Sequence, residues 1–217
     1  MLGEKLVDTY EDVTLLFADI CGFTAYSAGK SPRQVVEMLS KLFTDFDIEV
    51  NRLNLFKLYT IGDCYVIMGF TDKKNRKLPQ EEANDVVQMA VKMLEIISRV
   101  RRQVNFDQLN MRIGIHTGKV YGGVIGTDIV RFDLYGLDYV IANKMESGGE
   151  QGRINVSAKT KALLEDLETA NYSFEENKKI FIKSAGYEVQ SYFINLQTDE
   201  EEKEGGLSRL KKKTAIQ

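Results

Sequence analysis

The chain has 217 residues, 43% hydrophobic and 28% charged, which suits one domain with an ordinary core and excludes a disordered chain. Twenty-nine basic residues against thirty-two acidic ones leave a net charge of −3, so no global positive field draws nucleic acid. Two cysteines, Cys21 and Cys64, make neither a disulfide framework nor a CxxC pair.

No apolar run approaches the roughly 20 residues that span a bilayer, and residues 1–10 lack the apolar stretch of a signal peptide. The expectation is a soluble domain on the cytoplasmic side that makes no membrane contact itself, within a parent chain that could be membrane-anchored. Val13–Phe17 is a short run of strand formers, and Gly22 marks the loop after Asp19. Ser31-Pro32 reads as an N-cap followed by a first-turn proline. Val35, Val36, Leu39, Leu42, Phe43, Phe46 and Val50 then recur at helical spacing, predicting a helix over 32–50. Leu55–Ile61 and Cys64–Phe70 read as strands joined by a tight Gly62-Asp63 turn. Thr71–Gln80 reads as an exposed, solubilising basic loop, Glu81–Arg102 as a second helix, and Leu109–Thr117 as a fourth strand.

That order predicts an α+β fold, a ferredoxin-like antiparallel sheet with helices on one face. A C-terminal extension follows Gly118: a further hairpin, helices near Tyr139–Ser147 and Ala158–Leu167, and strands near Ile180–Ile182 and Val189–Leu196. From Thr198 the chain turns strongly charged, so the domain is placed at 1–197, and 198–217 reads as a disordered tail or linker.

In such a sheet the first and third strands are antiparallel neighbours, which brings the end of one beside the turn that starts the other. Asp19 and Asp63 occupy those two places. Two carboxylates at one edge repel unless a hard cation such as Mg²⁺ or Mn²⁺ lies between them, although each could equally cap its own turn. The glycine turn Cys21-Gly-Phe-Thr24 enters a helix, and its amides can point at a polyphosphate. Metal beside a phosphate cradle suggests phosphoryl or nucleotidyl transfer. The lone histidine, His116, lies inside a strand and reads as structural, and both cysteines read as packing residues.

Phe17-Ala-Asp-Ile-Cys-Gly-Phe-Thr24, Tyr59-Thr-Ile-Gly-Asp-Cys-Tyr65 and Met111-Arg-Ile-Gly-Ile-His-Thr-Gly118 resemble the signature segments of class III nucleotidyl cyclases. Phe132–Gly136, Ile141–Ser147 and Gly152–Ser157 continue the likeness in order, over roughly residues 10–196. The resemblance implies conversion of ATP or GTP to a 3′,5′-cyclic nucleotide and pyrophosphate, at the interface of two catalytic halves. It implies two Mg²⁺ or Mn²⁺ ions held by Asp19, Asp63 and the Ile20 carbonyl. Triphosphate contacts would come from Cys21, Gly22, Phe23, Thr24, Gly62 and Arg112.

Where self-sufficient family members carry an asparagine and, four residues later, an arginine, this chain has Val140 and Lys144. Valine cannot bond a ribose, and lysine lacks the planar fork of arginine. The base-reading lysine or glutamate is replaced by Tyr59, while Asp133 matches the second base-reading position. The pattern resembles the metal-binding half of two-part cyclases, those of transmembrane adenylyl and large protist guanylyl enzymes. Tyr59, Asp133, Val140, Lys144 and Lys183 would then line a degenerate second site, and a complementary half would supply the missing groups. The chain alone is expected to be nearly inactive. Asp133 leans towards ATP, yet the same half serves GTP in protist enzymes. The rival from another class is a non-catalytic regulatory or dimerisation module on the same fold, which would have no need of two adjacent aspartates. Ferredoxin-like nucleic-acid binders are disfavoured by the acidic balance and the lack of aromatic-basic strand motifs.

Overall fold

The computed structural model describes residues 7–125 and 131–196; the predicted tail at 198–217 lies outside the described residues. In chain order the elements are β1 (Val7–Cys21), α1 (Phe23–Ala28), α2 (Pro32–Arg52), β2 (Phe56–Ile61), β3 (Cys64–Met68) and α3 (Pro79–Gln103). They continue with β4 (Asn110–Ile125), β5 (Arg131–Tyr135), α4 (Leu137–Ser147), β6 (Ile154–Ser157), α5 (Ala158–Asp166), β7 (Tyr172–Ile182) and β8 (Tyr187–Leu196).

Helix α2 starts where the sequence places it. Ser31 and Gln34 form a reciprocal capping box ahead of Pro32, and Met38, Leu42, Phe46 and Val50 line the buried stripe. The strands form one sheet in the order β2-β3-β1-β4-β6-β8-β7, with β5 paired to β4. As expected, β1 lies antiparallel to β3. The sheet is mixed rather than wholly antiparallel, because β4 and β6 run parallel.

Helices cover both faces, not one. Leu16, Ala18 and Ile20 of β1 pack in a core shared with α2, α3 and α5, whereas Val13, Leu15 and Phe17 pack in one shared with α4 through Ala142. The reason lies in β4, which does not stop at Gly118 but continues to Ile125 and pairs with β5. A Cβ at Gly114 would overlap the backbone nitrogen of Glu146, and one at Gly118 would overlap the Asp138 carboxyl. Helix α4 therefore rests directly on strand backbone.

The basic loop is more than a solubilising one. Arg76 grips the buried Glu82 of α3 with Nε and Nη2, at 2.9 and 2.6 Å, and donates to the carbonyls of Glu11 and Asp12. Those carbonyls lie at a bulge in β1 where Asp12 takes φ 48°. His116 is buried and bonded on both sides, Nδ1 to Ser157 Oγ at 2.7 Å and Nε2 to Asp138 Oδ1 at 3.0 Å. Hydroxyl contacts continue from Ser157 to Thr160, Thr117 and Thr14.

Candidate active site

The β1–β3 ladder ends at the pair Ala18 and Tyr65, so Asp19 and Asp63 flank the same end of it. Asp63 sits in the two-residue β2–β3 turn after Gly62, whose φ of 60° is the left-handed geometry such a turn requires. Burial, and then the neighbouring Asp19 carboxylate, hold the Asp63 carboxyl above its ordinary range. Ile20 is buried in the β1–β4 ladder opposite Met111.

Gly22 follows at φ 81°, and a Cβ there would come within 2.5 Å of the Gln108 carbonyl oxygen, so only glycine fits. Phe23 opens α1, and no side chain caps the helix start. Cys21 and Cys64 are free thiols beside the aspartates. Burial, with Asp19 next among the causes, pushes the Cys64 thiol up to about 12.

Arg112 lies opposite Asp19 in the β1–β4 register. Its Nη2 is 3.3 Å from Asp19 Oδ2, and its Nε donates to Glu146 Oε1 at 2.5 Å. Glu146, the last residue but one of α4, is nearly buried; burial raises its proton affinity and the Arg112 hydrogen bond opposes this. Sequence reading missed Glu146 as a site residue, since 34 positions separate it from Arg112. The available signal was Gly114, whose missing side chain lets α4 approach. Asp19, Asp63, Arg112 and Glu146 thus form one electrostatic unit with a single cation. Among the described residues no three His, Cys, Asp or Glu side chains already close round a metal position.

The second predicted cluster is brought together in part. The Arg131 guanidinium lies 5.0 Å from the Tyr59 ring centre and donates to Asp133 Oδ2 at 2.7 Å. Arg131 was not singled out in the sequence. Val140 and Lys144 lie on the exposed side of α4, and Lys183 is exposed just after β7. Tyr121 and Tyr135, partners across β4 and β5, are both exposed, as is Leu137 at the start of α4.

A family model for the adenylate and guanylate cyclase catalytic domain matches residues 6–196. The chain belongs to that family. A guanylate cyclase from Toxoplasma gondii is 40% identical over 203 residues, covering 92% of this chain and 5% of the relative. Guanylate cyclase alpha of Plasmodium falciparum is 43% identical over 162 residues, 74% of this chain and 4% of that protein. The chain therefore spans about a twentieth of the length of these relatives. Among solved structures, the guanylate cyclase domain of RhGC from Catenaria anguillulae, in complex with GTP, superposes with a TM-score of 0.74. The two are 26% identical, and the match covers 88% of this chain and all of that one. No described helix of the cyclase domain is long and apolar enough to cross a membrane.

Proposed function

We propose that this cyclase domain is the metal-donating half of a two-part purine nucleotidyl cyclase. The observation that carries the reading is the pairing of Asp19 with Asp63 at one sheet edge, in a chain that has Val140 and Lys144 at the expected catalytic positions of the complementary half. In the reaction the ribose 3′-hydroxyl loses its proton to water as its oxygen bonds to the α-phosphorus, the α–β phosphoanhydride bond breaks, and pyrophosphate leaves with that electron pair. The names of the two protist relatives favour GTP as the substrate of the assembled enzyme. Asp133 does not oppose this, because its carboxylate is engaged by Arg131 in the second cluster.

The donor set fits hard divalent cations: two mutually repelling carboxylates at a half-exposed edge, of which only Asp19 meets a guanidinium, that of Arg112. Asp19, Asp63 and the Ile20 carbonyl would hold Mg²⁺ or Mn²⁺, which supplies Lewis acidity for the ribose hydroxyl and the triphosphate. The Gly22 turn leaves the first amides of α1 without a side-chain cap, free to donate to phosphate oxygens. Arg112 reaches the same place from β4 and adds positive charge where the leaving pyrophosphate gains negative charge. The exposed apolar side chains of Tyr121, Tyr135 and Leu137 are where the complementary half would seat.

The test is cyclic-nucleotide formation with Mn²⁺, offering GTP and ATP separately, by the chain alone and mixed with a half that carries the asparagine and arginine. Activity is expected only in the mixture and should vanish with Asp19→Ala. Vigorous turnover by the chain alone would overturn the partner requirement. Silence in every pairing, despite a folded heterodimer, would favour the regulatory module.

A further inference from the structure

Arg112 is held asymmetrically. Its Nε makes a short, charge-assisted hydrogen bond to Glu146, whose side chain is only 9% exposed. Its Nη2 makes a looser contact of 3.3 Å with Asp19, and both of those side chains are about a third exposed. The first contact is anchored in the core between β4 and α4. The second reaches out to an oxygen that a divalent cation would also need.

We infer that Arg112 is an internal counter-ion that occupies Asp19 in the metal-free domain, pivoting on Glu146 to release that carboxylate when a cation enters. This rests on the reading of Asp19 as a metal ligand and adds the competition to it. A guanidinium and a divalent ion within a few ångström of one carboxylate repel, and the weaker, more exposed guanidinium contact is the one that opens. The Glu146 bond need not break, because the two contacts use different nitrogens of one planar fork. After release, Nη2 is free to turn to an anionic phosphate. Glu146 is on this account a positioning residue: it keeps Arg112 at the site in both states.

The experiment is Mn²⁺ binding to the nucleotide-free folded chain, followed by electron paramagnetic resonance, in the wild type, R112Q and D19N. Removing the competing charge should tighten Mn²⁺ binding by about tenfold in R112Q, a change opposite to what a merely structural arginine would give. D19N should lose the site. Equal or weaker binding in R112Q, with loss in D19N, would overturn the pivot and leave the metal-ligand reading intact. Unchanged binding in D19N, or none in any of the three, would remove both.

Because R112Q leaves Glu146 buried without its partner and could unfold, a second measurement uses the wild type. Arginine-resolved nitrogen NMR during a Mg²⁺ titration should show the Arg112 Nε–H signal retained while rotation of the Nη groups speeds up. A saturating titration that leaves the Nη groups unaltered would sink the proposal.

Discussion

Burial and the adjacent Asp19 carboxylate raise the proton affinity of Asp63 in the folded chain, whereas in the unfolded chain the group titrates in the ordinary carboxylate range. A raised folded pKa means stability that is fully present below the unfolded value and lost as pH rises through the folded one. At neutral pH the ionised Asp63 therefore strains the metal-free domain. Asp63→Asn should raise the melting temperature by about 1–3 °C at pH 7 without metal, the effect being muted by solvent screening. The difference should close as the pH is lowered through the carboxylate range, and cyclase activity of the mixed halves should be lost. A melting temperature that falls at pH 7 would contradict this account. At this scale, the meeting of Asp19 and Asp63 was legible because strand topology alone brings distant positions to one edge, whereas Arg112 was named only through the family resemblance. Glu146 was not, because its role depends on how closely a helix approaches a strand. That distance is set by the glycine at 114, not by any pattern in α4 itself.

At the scale of elements, the strongly periodic segments were readable: α2 and α3 begin and end within two residues of the predicted bounds, and the Gly62-Asp63 hairpin is where expected. The short α1 and the four-residue β6 carry too few residues for a period to show. The full lengths of β1 and β4 were hidden by the polar residues of β1 before Val13 and by glycines within β4, which read locally as breaks. The basic loop misled for a different reason. Lysine and arginine suggest solvent, yet Arg76 is the partner of Glu82, which is 1% exposed on α3. Arg76→Ala leaves that carboxylate buried and unpaired, a loss of about 3–5 kcal/mol. For a domain of this size the melting temperature should drop on the order of 10 °C. The double variant with Glu82→Gln should recover most of it, and calorimetry of both proteins checks the pair.

For the whole molecule, the exposed tyrosine pair of β4 and β5 must be separable from folding if it seats a second half. Tyr135 is 46% exposed and pairs across the ladder with the exposed Tyr121. Tyr135→Glu is expected to leave the melting temperature of the isolated chain within about 2 °C, as surface changes do. It should also remove complex formation with the complementary half in analytical ultracentrifugation. Retained assembly would place the interface elsewhere.

The polar contacts that begin at His116 have a consequence of another kind. In the neutral ring, Asp138 accepts the Nε2 hydrogen, so Nδ1 is left an acceptor and the Ser157 hydroxyl must donate to it. Ser157 Oγ then accepts from Thr160, Thr160 from Thr117, and Thr117 from Thr14. One ring thereby fixes the direction of every hydroxyl hydrogen from β1, through α5 and β6, to α4. The row is a single aligned dipole crossing the sheet, positive towards the Asp138 carboxylate, and its alignment lasts only while that carboxylate holds the first hydrogen.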